Sequence, residues 1–85
     1  MSELIGVGDL LPRWRSHKIV RAQKIREVTN GQIQLEGPYP PIEPANGMFA
    51  RYVPVPGDYY VVYDDGYASI SPGQAFEDGY TRIEE

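Results

Sequence analysis

Few residues in this chain have the type and spacing that chemistry requires. His17 is the sole histidine and stands between Ser16 and Lys18. Acid–base or nucleophilic catalysis would need an activated partner beside it, yet cysteine is absent and spacing singles out no Ser-His-Asp order. One histidine among scattered carboxylates also lacks the paired ligands of a metal site. Asp64-Asp65-Gly66 lacks the alternating acids and closing glutamate of a calcium loop, so these residues read as a turn. Gly6-Val7-Gly8 lacks the third glycine and the lysine of a phosphate loop. Two constellations remain as candidate binding residues. One combines Arg13, Trp14, Arg15 and Lys18 with Tyr60 and Tyr67, because guanidinium forks and aromatic faces together hold nucleotides. The other is the acidic pair Glu77-Asp78, which would sit in the last turn of a short helix, against its dipole. Contact with Arg51, Arg82 or the basic segment would explain that placement, as would an acidic surface facing a partner.

Charge is divided along the chain. Arg13, Arg15, Lys18, Arg21, Lys24 and Arg26 occupy a window without an acid, whereas positions 27–85 carry ten acids against Arg51 and Arg82, for a net charge of −4. Such halves attract, so the basic segment is expected to pair within the fold with the acidic loops and tail; a phosphate-binding stripe is the sharper alternative. Overall acidity makes duplex DNA an unlikely partner, because that role depends on a net positive surface. Eighty-five residues suffice for a single small domain of modest stability, which homodimerisation would raise. The lack of cysteine fits a reducing compartment, and the N-terminal stretch matches neither a signal peptide nor a membrane span, so a cytoplasmic protein without a membrane partner is expected.

The elements that must position these groups are mostly strands. Residues 1–14 form an N-terminal arm that docks Leu10, Leu11 and Trp14. From His17 to Glu36 the Asn30-Gly31 pair predicts a hairpin with a type I′ turn, setting Val28 opposite Ile33 and Arg26 opposite Leu35. Ile25 then faces the wrong side unless a bulge intervenes before Val28 or both faces are covered. A helix over 18–27 is the competing pattern. Residues 37–57 contain Pro38, Pro40, Pro41, Pro44, Pro54 and Pro56 and read as a rigid, extended connection, interrupted by one helical turn or a strand edge around Met48 to Val53.

Asp65-Gly66 predicts a second hairpin with Tyr63 opposite Ala68 and Val61 opposite Ile70, so that Tyr59, Val61, Tyr63, Ala68 and Ile70 share the core face. Tyr60, Val62 and Tyr67 fall on the other face and need a cover, from the proline-rich connection, a second protomer or a partner. Ser71, Pro72 and Gln74 have capping-box spacing for a short helix that buries Ala75 and Phe76 and ends at a left-handed Gly79. Tyr80 to Ile83 return as a last strand. The fold class is mainly β, of the α+β kind: a small curved antiparallel sheet or SH3-like partial barrel of four or five strands with one short C-terminal helix.

The run YYVVYDDGYASISPGQAFEDGYTRI, preceded by WRSHKIVRAQKI, resembles small uncharacterised proteins encoded by bacteriophages and prophages, which end in a similar Tyr-Val-Val-Tyr-acid-Asp-Gly-Tyr, Ser-Pro, Ala-Phe-Glu, Gly-Tyr-Thr signature. The similarity covers the C-terminal third and Trp14 to Ile25, but not Glu36 to Tyr52. It implies a phage accessory protein in the host cytoplasm, and it carries over no catalytic residue and no cofactor. A non-enzymatic protein that binds a host or phage protein, as in counter-defence, is the first expectation. A nucleotide-binding or sequestering protein is the alternative, and a minor virion protein the third.

Overall fold

The long strand β2 (Ile19–Thr29) organises the sheet. The computed structural model describes residues 7–16 and 18–83, apart from the Arg51 side chain. The readings placed on His17, on Gly6 and on the first six residues of the arm lie outside these. Asn30 and Gly31 both take positive φ, 55° and 76°, as a type I′ turn requires, and return the chain into β3 (Gln32–Leu35). The strand reading of 18–27 holds and the helical one falls. Val28 pairs with Ile33 as expected, but a bulge between Ile25 and Glu27 sets Ile25, not Arg26, opposite Leu35. The extra residue restores Ile25 and Val28 to one face, resolving the conflict in the sequence pattern.

β1 (Arg13–Arg15) pairs with the first part of β2, and β4 (Tyr59–Val62) pairs along its other edge. β5 (Ala68–Ser71) pairs with β4, and the two-residue β6 (Thr81–Arg82) pairs with β1. The order is β5-β4-β2-β1-β6, with β3 attached to β2, giving six antiparallel strands in a curved, unclosed sheet with a short helix near the C-terminus. Ala22 donates to the Pro12 carbonyl and the Lys24 carbonyl accepts from Glu36. Alternate residues of a strand address the same edge, so β1 and β3 follow one another along one side of β2.

The second hairpin forms one residue out of the expected register. Val61 lies opposite Ser69 and Val62 opposite Ala68. The cause is the loop: the Gly66 N–H returns to the Tyr63 carbonyl, Gly66 takes φ 90°, and the Tyr67 carbonyl accepts from Tyr63, so three residues turn the chain instead of two. Tyr59, Val61 and Tyr63 keep their shared face, but Ala68 and Ile70 move to the face of Tyr60 and Val62.

Both faces of the sheet are covered by the chain itself. On one, Val20, Ala22, Tyr59 and Val61 are buried under Phe76, with Trp14, Tyr63 and Tyr80 around them. On the other, Leu11, Ile25, Ile33, Leu35 and Ile42 form a second cluster, joined by Val7, Tyr39, Met48, Phe49, Tyr60 and Ile70. The proline-rich connection thus supplies the cover that Tyr60 needed. A single bridge between Ile42 and Ile33 fixes it along the outer side of β3. In the arm, a 3-10 turn over Val7–Leu10 leads to fully buried Leu11, whereas Leu10 is exposed rather than docked. Met48–Arg51 is the helical turn, α1.

The helix α2 (Gly73–Gly79) departs from its expected caps. Ser71 ends β5, and Pro72, in an extended conformation, holds the cap position without a side-chain bond. Gly79 is not left-handed; Tyr80 leaves the helix in extended geometry while its N–H still reaches the Phe76 carbonyl. Phe76 is buried, but Ala75 faces solvent, since so short a helix presents one residue fully to the sheet.

Candidate functional site

The cap missing from α2 is supplied from another part of the chain. Pro54 and Pro56 stop the segment after α1, and Gly57 at φ 101° turns it so that Asp58 enters the protein just ahead of β4. Asp58 is buried, and its carboxylate accepts from the Gly73 N–H at 3.0 Å, the Val55 N–H at 2.9 Å and the Tyr52 hydroxyl at 2.7 Å. One side chain therefore joins the start of α2, the proline loop and Tyr52. Sequence reasoning passed over Asp58 and Tyr52. The usable signal was a lone acid after Pro-Gly and before an apolar strand, where a buried carboxylate must find N–H partners.

Tyr52 in turn forms part of a groove. Ala45 to Met48 and Tyr52 make one wall, and Tyr67 with Ala68 to Ile70 make the other, around about 460 Å³. Arg21 and Gln23 of β2 bond to β4 opposite Val62 and Tyr60, so Tyr59, Val61 and Tyr63 address β5. Ser69 and Ser71 answer them, which leaves the N–H and C=O groups of Ala68 and Ile70 directed away from the sheet, toward the groove. Among the described residues β5 ends the sheet and no backbone group pairs with its outer edge. The other margins differ: β3 is bridged by Ile42, and β6 is two residues long. Around the β5 margin Tyr67 is 61% exposed and Tyr52 40%.

The constellation of Arg13, Trp14, Arg15 and Lys18 with Tyr60 and Tyr67 is divided by the sheet. Trp14 pairs with Val20 and turns its ring edge-on to Tyr59 and Phe76, at 5.4 and 4.9 Å between centroids, in the cluster under α2. Tyr60 is half-buried in the cluster on the opposite face. Arg13 and Arg15 lie on β1, with Arg15 exposed beside Thr81. Lys18 places its ammonium 5.2 Å from the Tyr63 ring, which stacks on Tyr67 at 6.0 Å. Lys18 and Tyr67 thus come together through Tyr63, away from Tyr60.

Glu77 and Asp78 are both exposed on α2 and do different things. Asp78 accepts from Gln74 one turn back at 3.0 Å. Glu77 accepts from the buried Tyr59 hydroxyl at 2.8 Å and lies 3.4 Å from Lys24 Nζ. The Tyr59 hydroxyl, joined by Lys24 of the basic segment, thus holds an acid at the unfavourable end of the helix. The Tyr59 hydroxyl first, and then Lys24, hold the Glu77 carboxyl below its ordinary value. Burial, followed by Glu77, pushes the Tyr59 phenol up. The hydrogen bond to Asp58, followed by burial, does the same to Tyr52, and burial alone raises Tyr60. Near neutrality the phenols stay protonated and Glu77 ionised, as they are at their ordinary values, so each donor keeps its acceptor. Among the described residues no three His, Asp or Glu side chains gather to hold a metal, and no helix is long and apolar enough to cross a membrane. The Trp14 Nε1 is buried without a partner.

Compared with known proteins, the chain matches no family model, no curated protein and no solved structure.

Proposed function

We propose that this chain is a non-catalytic protein-binding domain whose contact surface is the β5 margin. The carrying observation is an unpaired sheet edge beside an open groove flanked by two exposed aromatic side chains, Tyr67 at 61% and Tyr52 at 40%. Exposed aromatic and aliphatic groups beside a concave surface are the usual anchors of protein interfaces. The resemblance to phage- and prophage-encoded proteins supports a host or phage protein as the partner, met in the host cytoplasm, with interference in a defence system as the role served. The test is affinity capture from host cells producing the full chain, run beside Tyr67→Ser and Ala45→Arg variants that fold normally, both positions being exposed in the groove wall. A partner retained by the original chain and lost by both variants supports the reading. Equal capture by all three, or none, overturns it.

A further inference from the structure

The geometry points to strand addition as the way this surface binds: an extended peptide segment pairs antiparallel with β5, with aliphatic residues at alternate positions and a basic residue toward its C-terminal end. This rests on the proposed binding role of the β5 margin and specifies its partner. The outward N–H and C=O groups of Ala68 and Ile70 are spaced two residues apart, and only another extended backbone presents acceptors and donors at that repeat. Natural edge strands are commonly blunted by lysine, proline or a bulge, and β5, reading Ala-Ser-Ile-Ser, has none of these. Main-chain pairing at such an edge, with pockets for alternate side chains, is an established mode of peptide capture.

The groove determines the rest. Met48 and Ile70 pack on the same apolar cluster, so α1 and the turn before it wall the groove on the Ile70 face. Every second side chain of an added strand points to that face and meets Met48, Ala68 and Ile70, which select aliphatic groups. At the turn end of β5 stand the exposed Asp64 and Asp65. An antiparallel segment brings its C-terminal end there, where a lysine or arginine finds opposite charge. A second copy of this chain fits less well. Two-fold pairing of β5 with itself would keep like faces on the same side, so each copy's Ala45 to Met48 wall would enter the space of the other.

The test is selection of random peptides of about eight residues against the full chain, followed by measurement of the enriched peptides on Ala68→Pro. Proline at 68 removes an outward N–H and leaves the ladder to β4 intact, as an edge position allows. The expected result is enrichment of alternating aliphatic peptides with a basic C-terminal half, and binding to Ala68→Pro weaker by about tenfold or more. In the original chain, the amide protons of Ala68 and Ile70 should exchange more slowly once the peptide is bound; this second readout does not depend on how the variant folds. Peptides that leave those two amides unprotected overturn strand addition, as does a selection that enriches nothing. Binding insensitive to Ala68→Pro but lost in Tyr67→Ser also overturns strand addition while leaving the binding surface in place. The binding reading itself falls only with the capture experiment.

Discussion

Asp58 Oδ1 accepts the N–H of Gly73 at 3.0 Å, so the first turn of α2 is capped by a residue that precedes β4 rather than by its own flank. Replacing Asp58 by alanine strands the part-buried hydrogen-bonding groups it holds, the N–H groups of Gly73 and Val55 and the Tyr52 hydroxyl. The expected loss is about 3 kcal/mol, read as a lower urea midpoint. Asparagine, which keeps one acceptor oxygen, should lose less.

Gly73 is fixed by contact rather than by conformation. A Cβ there would press into the Gly57 carbonyl oxygen, and that backbone is held by hydrogen bonding to Ile25. Gly73→Ala should destabilise by about 2 kcal/mol or more, although alanine is the better helix former. Gly79→Ala, with open space around the new methyl, should be neutral or stabilising in the same titration.

Acid and alkali should act on opposite sides of one contact. Glu77 titrates below its ordinary 4.5 when folded, so the stability it contributes is present above about pH 4.5 and disappears as pH falls through the lower, folded value. Tyr59, Tyr60 and Tyr52 titrate above their ordinary 10.0, so their contribution is complete below pH 10 and disappears as pH rises beyond it. Glu77→Gln should flatten the acid limb of a stability–pH curve measured by denaturant titration and leave a falling alkaline limb.

Mono-, di- and cyclic nucleotides should not raise the melting temperature. Trp14 and Tyr60 lie on opposite faces of the sheet, so the aromatic pair that would sandwich a base is never assembled. A thermal-shift screen at saturating concentrations checks this, since a ligand at about a hundredfold its Kd would stabilise by roughly 2.7 kcal/mol.

What the sequence disclosed was local. Asn30-Gly31 specifies its turn because both positions need positive φ, and the doubled apolar pattern at Ile25 and Val28 marks the bulge before any partner strand is known. Asp65-Gly66 misled because a Gly-containing turn of two or three residues reads alike, and one residue carried Ala68 and Ile70 to the other face. Ser71 offered a cap to its own helix, but the sheet took it as a strand residue and Asp58 filled the role. Of the candidate residues, Glu77 was flagged for its unfavourable position, and the Lys24 and Tyr59 contacts explain it. The edge of β5 was not legible, because which strand ends a sheet is decided by pairings between distant segments.

The pairing of β1 with β6 joins Trp14 to Arg82, from opposite ends of the described chain. Closure of so long a loop is expected to follow the hairpins at Asn30 and Gly66, which close short ones. Trp14 lies against Tyr59 and Phe76, so its fluorescence reports the docking of β1 and α2 on the sheet rather than the seam with β6. A seam of two residue pairs at one end of the sheet can open while both hairpins and the ring contacts of Trp14 stay in place, which makes β6 the expected first point of local unfolding.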